Sequence, residues 1–365
     1  IAMLKAAVSR LGADKAIIMP TAVAPHKTGY ITAPPAARLE MCHIAFDGIA
    51  EVSDFEINKG GASYSYITCD YLRHKYPDDE IYFLMGADMF DCFADWVYPE
   101  RILKDVKLVV CSRTGSADVN QSQKHFEEQF GTSDEIVDFT GAPVSSTRTR
   151  VAAALGANIS DYVPHEISKY IKKNGLYKIP DLAKAQKLLT SKRAEHTLRV
   201  AFMAAENCRR FKITEKKAVT AAALHDAAKY LKLSDKRLKG FVPPEGVPDK
   251  VMHQYAGAYL AEHEFGITDE DILNAIRYHT SGRAGMSDLE KLIFLSDMLE
   301  EGRKFEGVDK LRKLFAEDMD KCLECALHDE LGFLKESGGD IYPLTQEAYD
   351  YIKKQNAEKQ VQKTE

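Results

Sequence analysis

At 365 residues the chain is longer than one hydrophobic core usually serves, so two domains are expected. Its 45% hydrophobic and 28% charged residues are those of an ordinary globular protein and speak against a disordered or fibrous one. A net charge of −6 gives nucleic acid no electrostatic attraction, no apolar run reaches membrane-spanning length, and no signal peptide is legible.

From residue 13 to about 150 strand-like and helix-like segments alternate. Ala16–Met19 reads as a short strand, 35–50 as a helix, 52–57 as a strand and 63–76 as a helix. Ile81–Gly86, Val106–Val110 and Glu135–Phe139 are further strands, and 160–177 a closing helix. Continuous apolar strands separated by helices imply an α/β domain, a parallel sheet covered on both faces. Ile1–Leu11 already has helical periodicity, so the domain opens on a helix with no strand before it.

Beyond Ile179-Pro180 the strand signal stops and an all-α domain is expected. Helices are read at 181–211, 215–231, 250–265, 269–279, 287–301, 308–331 and 344–355. The expected division is 1–178 and 179–355, with 356–365 a tail too polar to pack. The seven scattered cysteines suit a reducing, cytoplasmic setting, and Cys322 and Cys325 read as neighbours one helical turn apart.

The second half carries His196, the pair His225-Asp226, His253, His279 and Asp297, each in or at the edge of a predicted helix. Imidazole with carboxylate suits Fe, Mn, Zn or Mg, and helices converging on one point are how an all-α domain builds a metal centre. Any one of these histidines alone would be read as a satisfied core or surface residue. Asp297 follows the apolar run Leu292–Leu295, where a carboxylate needs a partner to offset burial. His263 and His328 lack such context and are expected on the surface.

The stretches Arg193–Leu198, Ala223–Lys229, Ala275–Arg283, Met286–Asp297 and Glu301–Val308 resemble the HD-domain family of symmetrical bis(5′-nucleosyl)-tetraphosphatases. The resemblance implies hydrolysis of diadenosine tetraphosphate to two ADP, with two divalent metals, Fe or Mn. It implies that His196, His225, Asp226 and Asp297 hold one metal, Asp226 bridging, and that His253 and His279 serve the second. Asp226 and Lys229 are the catalytic candidates, Lys229 reaching a phosphate or remaining a solvated helix lysine. Arg193, Thr280, Ser281, Gly282, Arg283 and Arg303 are candidate nucleotide contacts.

In the first half, Ser145–Arg150 opens a helix with hydroxyls followed by basic residues, either a phosphate site or a plain N-cap. Together with Pro25-His26-Lys27, Gly86-Ala87-Asp88 and Trp96, it resembles bacterial nicotinate-nucleotide adenylyltransferase over roughly residues 1–177. That resemblance implies a Rossmann-like nucleotidyltransferase fold and adenylyl transfer from ATP, with Mg, to nicotinate mononucleotide. Lys27, Ser146 and Arg150 would hold the ATP phosphates, Asp88 a ribose or base edge, and Trp96 would stack on the nicotinate ring. Trp96 is equally read as a core or rim aromatic beside Phe93 and Tyr98.

The family's Gly-rich turn and His-x-x-His pair should stand just before Ile1. The chain is therefore expected to be an N-terminal fragment lacking the first strand, with little adenylyltransferase activity as it stands. The leading expectation is a bifunctional nucleotide-metabolism enzyme. A hydrolase with a degenerate nucleotide-binding first domain, and an HD-domain nucleotide sensor, are the alternatives. Small nucleotides are the expected partners, nucleic acid and membrane are not, and a homodimer is left open.

Overall fold

The structure, a computed structural model, describes residues 1–23, 29–113, 120–140 and 144–362. Contacts divide the chain into two compact units. One comprises Ile1–Thr28, Ala33–Val144 and Val163–Lys173; the other comprises Gly29–Thr32, Ser145–Tyr162 and Asn174–Glu365. The division is not a single cut at 178. Segment 163–173 packs its helix against the Pro35–Phe46 helix, and the Ser146–Ala154 helix packs along the Ser191–Asn207 helix.

Among its described residues the first unit holds five short strands, all paired in parallel. β1 (Ile17–Ile18) lies beside β2 (Glu51–Val52), and β3 (Tyr82–Gly86), β4 (Lys107–Arg113) and β5 (Glu135–Phe139) form a sheet in that order. Leu84 stands opposite Val109, and Val109 opposite Glu135. Side chains alternate across a strand, so the central β4 feeds two cores. Leu108 and Val110 join Met85, Phe93, Ile102 and Phe126 on one face. Val109 and Cys111 join Ala7 and Val137 on the other. This double burial explains the unbroken apolar run of that strand.

Several boundaries differ from expectation, each for a local reason. The strand read at 52–57 ends at Val52; Phe55–Lys59 is a short helix that buries Glu56, whose Oε1 accepts a 2.6 Å hydrogen bond from the Thr68 hydroxyl. The closing helix is only His165–Lys173. The helix read at 181–211 breaks into Leu182–Gln186 and Ser191–Asn207, because Thr190 caps the second by accepting from Arg193 N (3.3 Å). The helix read at 308–331 splits at Asp318, whose carboxylate accepts from Asp320 N and Lys321 N.

Every element among the described residues of the second unit is a helix. Glu215–Leu224, Asp249–His263, Glu270–Arg277 and Asp288–Leu299 surround a core in which Leu224, Ile276, Leu292, Ile293 and Leu295 have no exposed surface. His263 and His328 are exposed, as expected. The expected polar tail is instead helical to Gln362, continuing the Pro343–Gln362 helix. Asn356 is buried and donates through Nδ2 to Asp320 O (3.1 Å) and Glu324 Oε2 (2.8 Å), which anchors that helix.

No helix among the described residues is long and apolar enough to cross a membrane. Because Leu295 is fully buried on the helix that carries Asp297, Leu295→Ala should cost about 2–5 kcal/mol in urea denaturation. Val242→Ala, at a position 82% exposed, should stay within about 0.5 kcal/mol.

Candidate metal centre

The Glu215–Leu224 helix is buried from Ala218 onward, and Ala218 and Ala221–Ala223 have no exposed surface. Small side chains let its neighbours approach closely. Gly257 does the same from the Asp249–His263 helix: a Cβ there would meet His225 O at 3.4 Å and Ile276 Cγ2 at 3.3 Å. The helix ends at His225, which is fully buried, followed by Asp226 at 1% exposure. A capping box, Ser287 with Glu290, starts the Asp288–Leu299 helix that brings in Asp297.

Six ligand-type side chains converge here. His196 Nε2 stands 2.9 Å from Asp297 Oδ1, and His225 Nε2 stands 3.3 Å from Asp226 Oδ2. Asp226 Oδ1 faces His253 Nε2 at 3.3 Å and His279 Nε2 at 3.6 Å, and those two nitrogens are 3.2 Å apart. Two groups are compact enough to hold a cation: His196 with His225 and Asp297, and His225 with Asp226 and His279. His225 belongs to both.

The outer nitrogens fix the inner ones. His225 Nδ1–H donates to Ala222 O (2.6 Å) and His279 Nδ1–H to Ile276 O (2.8 Å). His196 Nδ1–H donates to Glu300 Oε1 (3.0 Å). Each bond selects the tautomer whose Nε2 lone pair points inward, which is how histidine ligands are oriented. His196 Nε2, His225 Nε2 and Asp226 Oδ1 are buried without a hydrogen-bond partner. Buried polar atoms are rarely left so; His196 and His225 belong to one compact ligand group and His225 and Asp226 to the other, so divalent cations there would give these atoms partners and the residues fit a metal.

The electrostatics agree. Burial would push Asp226 up, but the imidazoles of His225, His253 and His279 outweigh it and hold the carboxyl far below the ordinary range. Asp297 is likewise held far down, with His196 outweighing burial. Burial pulls His253 down to about 4, leaving a neutral ring. Glu300 is held at about 2: burial opposes, and His196, Arg199 and the Gly302 N–H prevail.

Cationic side chains close the site. Arg193 Nη1 donates to Asp226 Oδ2 at 2.9 Å. Lys229 Nζ donates to His253 Nε2 at 2.9 Å and lies 3.7 Å from Asp226 Oδ1, so it faces the cluster and is not a solvated helix lysine. Arg303 donates to Asp297 through Nη2 (2.5 Å to Oδ1) and Nε (2.8 Å to the carbonyl). Thr280 Oγ1 sits 3.1 Å from His279 Nε2 and 3.2 Å from His253 Nε2.

Ser281, Gly282 and Arg283 serve the loop rather than the cluster. Ser281 is 1% exposed; its N–H donates to Gln254 Oε1 and its hydroxyl accepts from Gln254 Nε2 (2.9 Å). Gly282 has φ +63, and a Cβ there would meet Ala348 Cβ at 3.2 Å. Arg283 forks onto buried Glu290 at 2.7 and 2.9 Å and lies over the Tyr278 ring. Sequence reasoning missed Gln254, which ties down the loop after His279, and Glu300, which orients His196. Glu300 was findable as an acid one turn beyond Asp297; Gln254 carried no signal.

The first-half candidates are more dispersed. Lys27 lies outside the described residues. Asp88 is exposed on the short Ala87–Phe90 helix after β3. Trp96 is half-buried against Phe93 (5.3 Å) and Phe83 (6.1 Å), within that unit's aromatic core. Ser146 is exposed, and the N-cap is Ser145, whose Oγ accepts from Arg148 N (3.4 Å). Arg150 Nη2 donates to Thr147 Oγ1 (3.1 Å) and Glu215 Oε1 (3.2 Å).

Glu330, on the Met319–Glu336 helix, has Oε2 buried without a partner. Burial, reinforced by the Asp297 carboxylate, pushes it up to about 7. A folded-state value above the unfolded one favours the fold below the ordinary glutamate range, an advantage lost as pH rises through 7. With metal chelated, Glu330→Gln should therefore raise Tm at pH 8 and leave it unchanged at pH 4.5. An equal shift at both pH values would show that burial of the charge is not the cause.

Two family models match the chain: cytidylyltransferase-like over residues 1–152 and HD domain over residues 193–324. A symmetrical bis(5′-nucleosyl)-tetraphosphatase of Bacillus subtilis is 38% identical over 178 residues, covering 47% of this chain and 95% of the relative. A solved HD superfamily hydrolase of Clostridium acetobutylicum is 34% identical over 47% of this chain and 97% of its own, with a TM-score of 0.43. A probable nicotinate-nucleotide adenylyltransferase/Ap4A hydrolase of Mycoplasma pneumoniae is 31% identical over 327 residues, covering 86% of this chain and 90% of the relative. Because that likeness runs through both halves, the chain belongs to the family of fused nicotinate-nucleotide adenylyltransferase/Ap4A hydrolase proteins.

Proposed function

We propose that this is a bifunctional enzyme of nucleotide metabolism, with residues 179–355 cleaving diadenosine tetraphosphate symmetrically to two ADP. Residues 1–178 carry adenylyl transfer from ATP, with Mg, to nicotinate mononucleotide. The observation that supports the hydrolase reading best is the set of three buried, unpartnered atoms, His196 Nε2, His225 Nε2 and Asp226 Oδ1, on residues of two ligand groups that share His225.

In this reading His196, His225, Asp226, His253, His279 and Asp297 hold two divalent cations, Fe or Mn. Such cations, when bound, polarise a phosphoryl oxygen and make water a nucleophile at neutral pH. The chain's own residues do the rest. Arg193 and Lys229 lie against Asp226 and present cationic N–H groups to a polyphosphate. Water adds to phosphorus, the bridging P–O bond breaks, and each half leaves as ADP. Preorganised donors of this kind stabilise the charge that builds on the leaving oxygen. In this reading Arg303, bonded to Asp297, contributes a further cationic contact to the nucleotide.

Metal analysis of the purified protein tests the centre: His225→Ala and Asp226→Ala should each lose bound metal, and unchanged content in both would overturn the assignment. Chromatography of the products tests the chemistry. ADP alone is expected, whereas AMP with ATP would mean asymmetrical attack. Lys229→Ala should lower kcat by roughly 10²–10³, the usual cost of one preorganised charge-stabilising donor, with metal content retained.

A further inference from the structure

We infer that Glu215 is a positioning residue for adenylyl transfer, holding Arg150 and the turn Gly29–Ile31 in the arrangement that receives the ATP phosphates. This rests on the adenylyltransferase reading above. Glu215 opens the helix that ends at His225, yet it touches neither metal group. It is 1% exposed, and its contacts run to segments far away in sequence.

Its Oε2 accepts from Ile31 N at 2.6 Å, and its own N–H donates to Gly29 O at 3.0 Å. Its Oε1 accepts from Arg150 Nη2 at 3.2 Å. Gly29 has φ +85 and a Cβ there would touch Thr214 Cγ2 at 3.4 Å, so glycine lets the turn lie flat on the start of the helix. Tyr30 is gripped between two guanidiniums, Arg150 at 5.3 Å and Arg209 at 4.8 Å from its ring. One carboxylate thus fixes both the turn and the arginine.

The way Arg150 is held matters. Thr147 and Glu215 both engage its Nη2, while Nε is buried without a partner. A planar guanidinium anchored through Nη2 has its plane fixed, and the direction in which Nη1 can donate to a phosphate oxygen is fixed with it. A carboxylate this deeply buried cannot give up its partners cheaply, so the orientation is set before ATP arrives. Glu215 acts through Arg150 and has no contact with substrate assigned to it.

The test uses the full-length protein and steady-state synthesis of the deamido dinucleotide. Glu215→Gln keeps the shape and the acceptor for Ile31 but removes the charge that aligns Arg150. It should raise KM for ATP roughly 10-fold, well inside the range that misplacement of a binding group produces. KM for nicotinate mononucleotide and tetraphosphate hydrolysis in the same preparation should not change. Glu215→Asp, which retains the charge but withdraws it, should give an intermediate KM. In an Arg150→Ala background the Gln substitution should have no further effect, the signature of one residue acting through the other. An unchanged KM for ATP in Glu215→Gln, or additive effects in the double variant, overturns the inference while leaving the adenylyltransferase reading intact. A parallel loss of both activities with lowered Tm also overturns it, as a merely structural role. If the wild-type protein makes no dinucleotide and binds no ATP, the adenylyltransferase reading falls and this inference with it.

Discussion

Asp226 is the constraint around which the second unit is arranged. A carboxylate at 1% exposure is expensive unless its charge is met on every side. Here Arg193 and His225 lie on one oxygen, and the imidazoles of His253 and His279 with Lys229 crowd the other. The imidazoles cannot all be protonated so close together, and burial already pulls His253 down to about 4. The balance is therefore incomplete with protein groups alone. That incompleteness is what orphaned buried nitrogens and a buried carboxylate oxygen express, and it is why a cation is the natural missing partner.

The supporting structure spends its polar groups on aiming those ligands. Two histidines are oriented by carbonyls of their own helix ends, Ala222 and Ile276, which become available because the helices stop there. His196 sits mid-helix, where every carbonyl is committed, and so needs a side chain, Glu300. Glu300 in turn is held by Arg199 at 2.6 Å and by Gly302 N at 2.5 Å. The difference in partner follows from the position of each ligand along its helix.

What was legible in the sequence follows the same physics. Histidine and aspartate inside apolar runs have few explanations, so His225, Asp226 and Asp297 could be read directly. Ser281, Gly282 and Arg283 could not. A polar residue beside a ligand looks the same in sequence whether it faces a nucleotide or ties down a loop, and the residue that decides, Gln254, lies on another helix. The double burial of β4 was implied by its continuous apolar run. Helix breaks at Thr190 and Asp318 were hidden because apolar periodicity runs on through a cap. Trp96 is a conspicuous residue type with two readings, and its half-buried ring packs beside Phe93 and Phe83.

The Ser146–Ala154 helix gives the fusion a physical meaning. Its motif reads as part of the first half of the sequence, yet the helix belongs to the second unit, and its two arginines are bonded to carboxylates of that same unit. Arg148 donates to Glu206 (2.8 Å) and Glu301 (2.9 Å), and Arg150 to Glu215. Exposed ion pairs contribute little by themselves. Arg150 is different, because Glu215 is almost fully buried and its charge needs a permanent neighbour. Glu301 also directly follows Glu300, the group that orients His196. A helix whose basic residues are committed in this way is not free to drift from the hydrolase helices, whatever it binds.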